Sequence, residues 1–580
     1  MCLRNRSYYV GKKGAVWLCI IISGFVSPAA RAAASENDRS STNSSSEFPV
    51  TIRIDAAKSV GELSPIWRFF GYDEANYTYL KDGKKLLAEL GRLGSPQVYI
   101  RCHHLLTSGD GEYALKWGST SAYKEDPQGR PVYDWTINDR IFDTYLERGL
   151  KPYVQLGFMP EALTIHPRNY PHHPPVNEKA PAEAGQSYPP KDYAKWGELA
   201  FEWTKHCVAK YGRREVDQWY WEVWNEPNIF YWHGTHEDYF KLYDYAVEGV
   251  RRALPTARVG GPETAGGPGG NFLREFLEHC IRGTNYVTGK AGAPLDFISF
   301  HAKGSPVFTN NHVRMGMANQ FRDIDRACAV VAAFPELKKL PVVIGECDPE
   351  GCAACREPRD AYRNGTMYSS YTAASFSRIY ELAESHGVAL QGALTWAFEF
   401  EDQPLFAGFR ALASNGIDLP VLNVFRMFAR MQGSRVAVET STGINFRTIL
   451  AHGVREASDV SALASQETNR LCVMVWHYHD DDVPGPAAAI QLQISGLPLT
   501  NEIGIVAHYR IDSEHSNAFQ TWKRLGSPAT LSSEQYAQLQ HAGQLAELGK
   551  PERLPLQNGN GMLRLRLPRQ AVSLLVLTWD

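Results

Sequence analysis

The sequence predicts an α/β fold, a (β/α)8 TIM barrel with an accessory β-sandwich domain. The first observation is that short strand-like segments alternate with amphipathic helical stretches, which is typical of a parallel sheet. The second is a change after Met431 to short alternating strands, which indicates a β-sandwich. The candidate barrel strands number eight, at residues 67–71, 98–101, 152–156, 219–224, 259–261, 296–300, 342–344 and 393–396.

The same patterns divide the chain into segments. We expect a signal peptide at residues 1–34, a polar disordered linker at 35–48, a strand at 49–60 that joins the sandwich, the catalytic barrel at 61–430 and the sandwich at 431–580. The strand at 49–60 begins with alternating apolar and polar residues, which predicts that one of its faces is buried.

The amino terminus has the arrangement of a cleaved signal peptide. Basic residues precede an apolar run at residues 15–26, and small residues follow at 30–34, where we expect cleavage. The apolar run is too short for a stable membrane span. We therefore expect a periplasmic or secreted protein.

Charge and composition limit the possible partners. The chain has 60 basic and 63 acidic residues, so it lacks the basic excess that binds nucleic acid or anionic membranes, and we expect neither partner. Aromatic residues make up 12 % of the chain, more than packing usually requires, and sugar-binding clefts use such rings. Nothing in the sequence fixes the oligomeric state.

Residues 219–228, Trp-Tyr-Trp-Glu-Val-Trp-Asn-Glu-Pro-Asn, combine a strand with an abrupt stop. Aromatic and β-branched residues suit a buried strand, and Pro227 ends it. Glu226 is therefore expected at the carboxyl end of a strand, where parallel α/β barrels build their active sites. We interpret Glu226 as a general acid and the neighbouring Glu222 as a structural residue.

A second carboxylate follows a second buried strand. Residues 342–344 are apolar and β-branched, and Gly345 allows another group to approach the backbone just before Glu346. Glu346 lies 120 positions after Glu226, a gap that suits strands facing each other across a barrel. Two carboxyl groups that face each other across a cleft are the catalytic groups typical of glycoside hydrolases.

With these motifs the sequence resembles glycoside hydrolase family 39, the β-xylosidase and α-L-iduronidase family of clan A retaining glycosidases. The matching stretches, besides those around the two glutamates, are residues 70–77, 99–110, 297–301 and 509–517. The resemblance implies that Glu226 is the acid/base and Glu346 the nucleophile. It also implies that no metal or organic cofactor is required.

The resemblance further implies a set of substrate-binding residues. Asn225 would bind the sugar 2-hydroxyl, and His103 and His301 would bind sugar hydroxyls or brace the nucleophile. Trp396 would form the floor of the pocket under the flat face of the sugar. Glu401 is the candidate for the carboxylate that binds the far hydroxyls of the sugar.

Several features leave alternatives open. Glu399 and Asp402 lie close enough to Glu401 to compete for its role. Residues 509–517 are either a polar turn that fixes the sandwich to the barrel or a part of the cleft.

The loop after Glu346 departs from the family pattern because it carries Cys347, Cys352 and Cys355, and His104 is a second departure. In an exported chain we expect a disulfide among these three cysteines, with its pairing open, rather than a zinc site.

These observations predict a retaining exo-glycosidase, a β-xylosidase that releases xylose from xylo-oligosaccharides. Alternatives with the same machinery are an α-L-arabinofuranosidase and an iduronidase-like enzyme, for which Lys303 is the obvious cation to bind the substrate carboxylate. An alternative of another class is a non-catalytic glycan-binding protein.

Overall fold

The structure is a computed structural model that describes residues 47–94, 97–172, 184–356, 358–498 and 503–579. The predicted signal peptide and all but the last two residues of the predicted linker lie outside these ranges. The strands are β1 (Phe48–Glu62), β2 (Phe69–Tyr72), β3 (Tyr99–Cys102), β4 (Tyr123–Glu125), β5 (Pro131–Tyr133), β6 (Lys151–Leu156), β7 (Tyr220–Val223), β8 (Arg258–Thr264), β9 (Phe297–Lys303), β10 (Val307–Thr309), β11 (His312–Arg314), β12 (Val342–Asp348), β13 (Leu390–Trp396), β14 (Ala413–Ser414), β15 (Ile417–Asp418), β16 (Ser434–Thr440), β17 (Asp459–Glu467), β18 (Arg470–Tyr478), β19 (Ala488–Ser495), β20 (Ile503–Ile511), β21 (Ala546–Glu547), β22 (Glu552–Pro555), β23 (Gly561–Leu567) and β24 (Val572–Thr578).

The helices lie between the barrel strands and at the edges of the sandwich. They are α1 (Lys81–Gly91), α2 (Thr136–Leu146), α3 (Tyr193–Tyr211), α4 (Arg213–Val216), α5 (His236–Ala253), α6 (Phe272–Arg282), α7 (Met317–Ala332), α8 (Thr366–His386), α9 (Pro420–Phe428), α10 (Phe446–His452), α11 (Ala518–Arg524) and α12 (Ser533–Ala542). Short 3-10 turns occur at Ala75–Tyr79, Pro167–Asn169, Gly185–Ser187 and Pro358–Asn364. In the part of the chain that the structure describes, no helix has the length and apolar character needed to cross a membrane.

Eight parallel strands close the barrel in the order β12, β13, β2, β3, β6, β7, β8 and β9. This confirms the predicted fold class. Each strand is almost entirely buried, as expected for strands that pack on side chains inside the barrel and on helices outside it.

Side chains that point into the barrel form successive layers, because alternate residues of a strand face the same side. A lower layer, called here the apolar layer, consists of Phe69, Tyr99, Tyr153, Tyr220, Phe297, Val343 and Leu394. Two residues further along their strands stand Arg101, Gln155, Glu222 and Ser299, all fully buried. The barrel interior therefore turns from apolar to polar toward the carboxyl ends of its strands.

Ten of the remaining strands build the predicted sandwich domain, and the other six form three two-stranded sheets, β4 with β5, β10 with β11 and β14 with β15. Its ten-stranded sheet has the order β21, β20, β24, β18, β17, β16, β1, β19 and β23, with β22 paired to β20. Leu554 of β22 and Leu567 of β23 share one apolar core although their strands lie toward opposite ends of the sheet, so the sheet wraps around that core.

The amino-terminal strand joins this sheet, as the placement of residues 49–60 anticipates. Ile52 of β1 is paired with Thr440 of antiparallel β16 and with Leu492 of parallel β19. The strand begins at Phe48, one residue earlier than predicted, because the N–H of Phe48 donates to the carbonyl of Ala487 at 3.1 Å.

Within residues 509–517, the first three belong to β20 and residues 512–517 form a polar turn beside the barrel. The Oδ1 of Asp512 accepts the N–H groups of Glu514 and His515, and the side-chain oxygen of Asn517 accepts the N–H of Gln520 in the first turn of α11. Asn423 of α9 donates through Nδ2 to the carbonyl of Ser516 at 3.4 Å. These contacts favour the first alternative, a turn that fixes the sandwich to the barrel.

Candidate active site

Glu226 follows β7 on a tight turn. Trp224 and Glu226 have φ angles of 72° and 46°, a left-handed conformation that side-chain-bearing residues adopt at a cost of about 1–3 kcal/mol each. The N–H of Glu226 donates to the carbonyl of Glu263 at 3.0 Å, which helps to fix the turn. Strain of this kind is common where the backbone must present a functional side chain, and here it presents Glu226 at the mouth of the barrel.

Glu346 lies near the end of β12 and is surrounded by cationic groups. Its Oε2 is 2.6 Å from Nζ of Lys303, and its Oε1 is 3.4 Å from Nη1 of Arg101 and 3.7 Å from Nδ1 of His301. Burial on its own would raise the pKa of Glu346, but the charges of His301, Lys303 and Arg101 outweigh it and hold that pKa well below its usual range. Glu346 is therefore ionised at neutral pH, the form that a nucleophile requires.

His301 brings the two glutamates together. Its Nδ1 donates to Oε1 of Glu226 at 2.9 Å and lies 3.7 Å from Oε1 of Glu346. These two oxygens are thus at most 6.6 Å apart, the sum of the two distances. Retaining glycosidases hold their carboxyl groups about 5–5.5 Å apart and inverting ones roughly 6.5–9.5 Å, so this upper bound is compatible with the retaining geometry.

The prediction for His103 left two roles open, and the structure favours bracing. Its Nδ1 donates to Oδ1 of Asp73 at 2.8 Å, and its Nε2 accepts from Nη1 of Arg101 at 3.0 Å. Both ring nitrogens are therefore engaged. Burial and the charge of Arg101 lower the pKa of His103, so the ring is neutral and holds Arg101 beside Glu346.

Asn225 contacts Arg101 and Trp396 contacts His103, two residues that lie beside Glu346. The Oδ1 of Asn225 accepts from Nη2 of Arg101 at 2.9 Å, which fixes the amide so that its Nδ2 can serve as a donor to a sugar hydroxyl. The indole of Trp396 packs against Gly71, where a Cβ would stand 2.4 Å from the ring. The ring of His103 lies 4.2 Å from that of Trp396, and the role of Trp396 as the floor under the sugar stays a prediction.

Glu401 is held away from the two catalytic candidates by another contact. Its Oε1 accepts the N–H groups of Asp82 and Gly83, in the first turn of α1. Its competitors are also engaged: Glu399 accepts the N–H of Asn415, and Asp402 accepts from the hydroxyl of Tyr113. Among the contacts of the described residues none joins these carboxylates to Glu226 or Glu346, so gripping by Glu401 stays a prediction.

Sequence reasoning gave no site role to Arg101, Glu222 or Asp73. Arg101 donates through Nε to Glu222 at 2.6 Å and so links the braced His103 to the floor of the site. Asp73, whose side chain is 17 % exposed, holds His103 and lies 3.4 Å from Nε1 of Trp396. The signal that could have found Arg101 and Glu222 is a charged residue inside an otherwise apolar strand.

The cysteine loop after Glu346 closes on itself. The disulfide predicted there joins Cys352 to Cys355, while Cys347 is a buried free thiol. Arg363 donates to the carbonyls of both bridged cysteines, which fixes the loop beside β12. Within the described ranges no group of three or more His, Cys, Asp and Glu residues is placed to hold a metal ion.

The barrel has eight parallel strands and carries two glutamates at the carboxyl ends of those strands. One of the two glutamates, Glu346, is ionised. This arrangement defines a two-carboxylate glycosidase site. The model of the family "Glycosyl hydrolases family 39" matches residues 50–553 of this chain. The chain therefore belongs to glycosyl hydrolases family 39, and it is a glycoside hydrolase.

Two activities occur among the reported relatives that match over most of this chain. A β-xylosidase of Caldicellulosiruptor saccharolyticus is 28 % identical over 503 residues, covering 85 % of this chain and 91 % of that protein. An α-L-iduronidase of Mus musculus is 24 % identical over 537 residues, covering 85 % of this chain and 75 % of that protein. The crystal structure of a monomeric β-xylosidase from Caulobacter crescentus CB15 covers 91 % of this chain and 99 % of its own, with a TM-score of 0.69 at 22 % identity. That structural similarity shows the shared fold.

Proposed function

We propose that this protein is a retaining exo-β-xylosidase. The observation that carries the proposal is the placement of Glu226 and Glu346 around one imidazole nitrogen, at 2.9 and 3.7 Å. The choice of sugar is supported by the β-xylosidase from C. saccharolyticus, which matches over nearly its full length. Arg101 and Lys303, the cations that contact Glu346, each pair with a second carboxylate, Glu222 or Asp348, which suits a neutral pentose.

The mechanism follows from the charges. The ionised Glu346 attacks the anomeric carbon while Glu226 gives its proton to the departing glycosidic oxygen, forming a covalent glycosyl-enzyme. Glu226, now a carboxylate, takes a proton from water, and the resulting oxygen nucleophile displaces Glu346 from the anomeric carbon. Two displacements restore the starting configuration.

Action at the chain end is part of the proposal. The side chains of Glu226 and Glu346 are only 14 % and 8 % exposed. An enclosed site of this kind fits a terminal sugar better than the middle of a polysaccharide, because an inner sugar needs open space on both sides.

A screen of nitrophenyl glycosides tests the sugar. We expect the highest kcat/KM with the β-xyloside, among β-xyloside, α-L-arabinofuranoside, α-L-arabinopyranoside, β-glucoside and α-L-iduronide. NMR of the first-formed sugar should show the anomer of the substrate. Initial appearance of the opposite anomer would contradict the retaining mechanism, and binding of xylo-oligosaccharides without turnover would favour a glycan-binding protein.

An iduronidase-like activity is the second candidate, because Lys303 lies in the site beside Glu346. Its ammonium also pairs with Asp348 at 2.5 Å, so a substrate carboxylate would have to compete with two protein carboxylates. A kcat/KM on the iduronide that exceeds the value on the xyloside would establish this alternative.

We also propose that the protein is exported, from the basic, apolar and small-residue order of residues 1–34. Expression of the full chain followed by cell fractionation tests this. A protein that stays in the cytoplasm with its first 34 residues intact would contradict it.

A further inference from the structure

Glu263 is a buried carboxylate without a place in the two-glutamate mechanism. It lies next to the end of β8, is 0 % exposed and has a left-handed φ of 55°. Burying a charge costs several kcal/mol unless partners compensate, and a strained backbone adds to that cost. The presence of Glu263 at this depth therefore calls for a role.

The carboxylate of Glu263 lies directly under the catalytic groups. Its Oε2 is 3.0 Å from Nε2 of His301, and its Oε1 is 3.8 Å from Nε of Arg101. A Cβ at Gly345 would stand 2.0 Å from both oxygens, so the residue before the nucleophile must lack a side chain to make room for Glu263. The chain thus provides space for this carboxylate at Gly345, directly before the nucleophile in β12.

His301 therefore has a carboxylate on each side, Glu226 at Nδ1 and Glu263 at Nε2. The Nε2–Oε2 distance of 3.0 Å is an ion-pair contact whose angles do not meet those of a hydrogen bond, so opposite charge links His301 to Glu263. Two carboxylates this close to the ring favour its charged form.

The other ionisable groups around His301 decide whether that form is stable. Glu226, Glu263 and Glu346 lie within 4 Å of its ring. Arg101, His103 and Lys303 each contact one or more of these carboxylates, and Glu222 pairs with Arg101. Burial lowers the pKa of His301, but the carboxylates of Glu346, Glu263 and Glu226 outweigh this and raise it to about 9. Arg101, a hydrogen bond with Glu222 and the charge of His301 overcome burial and lower the pKa of Glu263 to about 2.

We propose that Glu263 is a positioning residue that keeps His301 charged and holds it against Glu226. The proposal rests on the two-step reaction proposed above and explains one of its requirements. When Glu346 becomes an ester it loses its negative charge, and the imidazolium then has Glu226 as its one catalytic carboxylate neighbour. Through this contact, at 2.9 Å, the charged ring holds Oε1 of Glu226 in place for the second step, in which Glu226 acts as the base.

The first test measures the protonation of His301 directly, without any substrate. NMR of ring-labelled histidine in the full chain, with His301→Gln to assign the signal, gives the titration midpoint of His301. We expect Glu263→Gln to lower that midpoint by about one pH unit or more, and Glu263→Asp, which keeps a charge on a shorter arm, to lower it less. Glu399→Gln is the matched control, because Glu399 is equally buried but accepts backbone N–H groups elsewhere, and it should leave the midpoint unchanged.

A midpoint of His301 that stays unchanged in both Glu263 variants would overturn the proposal. If Glu263→Gln does not fold, as thermal melting would reveal, Glu263→Asp alone still decides. Its midpoint must then lie below that of the wild type.

The second test measures the consequence for catalysis as the ratio of kcat between Glu263→Gln and the wild type. On an activated aryl β-xyloside, kcat of Glu263→Gln should be about tenfold below the wild type at pH 8, and the deficit should shrink toward pH 5, where protons recharge His301. A deficit that is the same at every pH would indicate a merely structural role. If the wild type turns over no glycoside, the proposed function fails, but the NMR result on Glu263 remains decisive.

Discussion

The lower and upper halves of the barrel interior are equally buried but are made of opposite kinds of side chain. The apolar layer packs aromatic rings on one another, as between Tyr153 and Tyr220 at 5.1 Å. Above it lies a charged layer, which we define as Arg101, Glu222, Glu263, His301 and Glu346. Both layers project from the same parallel strands.

The two layers obey different energetics. Burying a ring in the apolar layer stabilises the fold by about 1.5–3 kcal/mol. Each ion of the charged layer instead costs several kcal/mol, which its partners only partly recover, so such groups are weak contributors to stability. The charged layer therefore persists because the chemistry needs fixed charges where water is excluded. Substitutions in the two layers should separate activity from stability.

The largest effect is expected from the nucleophile. Glu346→Ala removes the group that attacks the anomeric carbon, and we expect kcat on the aryl β-xyloside to fall by at least about 10⁴-fold. Added azide should restore part of the rate and yield the azide of inverted configuration, because a small anion fits the vacant space. Product analysis by NMR checks this. Full activity of the variant would remove Glu346 from the mechanism.

Glu226→Ala should be more selective. Proton donation matters when the departing oxygen is basic, so hydrolysis of xylobiose should fall by about 10²–10⁴-fold. A dinitrophenyl xyloside leaves without a proton, so its first step should survive and give a burst followed by a slow steady rate. Equal losses on both substrates, with no burst, would make Glu226 a binding residue.

A substitution in the apolar layer should have the opposite signature. Phe297→Ala removes a buried ring that touches Tyr153 and Tyr220, and we expect it to cost about 3–5 kcal/mol of unfolding free energy. The pH profile of kcat/KM should keep its wild-type shape, since no charged group has changed. Denaturant unfolding and a pH series measure the two quantities. A shifted pH profile would show that the layers are not independent.

The sequence was sufficient for the barrel and its two glutamates because both depend on local patterns. Strand composition placed Glu226 near a strand end without knowledge of any neighbour, although the strand ends at Val223 and not at the predicted stop before Pro227. Gly345 also gave a correct signal: it was expected to admit another group, and that group is the carboxylate of Glu263.

The charged layer was less accessible because it depends on register between strands that are far apart in sequence. Arg101 and Glu222 are 121 positions apart, yet they share a hydrogen bond. Glu222 was interpreted as structural, and the sequence did not reveal that it holds Arg101, which in turn contacts Glu346 and Asn225. For Glu401, nothing in its own segment revealed that the start of α1 would take up its carboxylate.

Lys303 gives the smallest expected effect and the sharpest test of how the charged layer works. Burial raises the pKa of Glu346, and Lys303 is one of several cations that together outweigh burial and lower that pKa. Lys303→Met should therefore raise the pKa of Glu346. Glu346 must be ionised to act as the nucleophile, and in Lys303→Met its protonation would begin at a higher pH. The acid limb of the kcat/KM profile on the β-xyloside should therefore move to higher pH, while the rate near neutrality falls only modestly. Lys303→Arg keeps the charge and should hold the acid limb close to that of the wild type.

If Lys303→Met leaves the acid limb in place but selectively abolishes activity on an iduronide, Lys303 is a substrate-carboxylate ligand, and the second candidate function replaces the first.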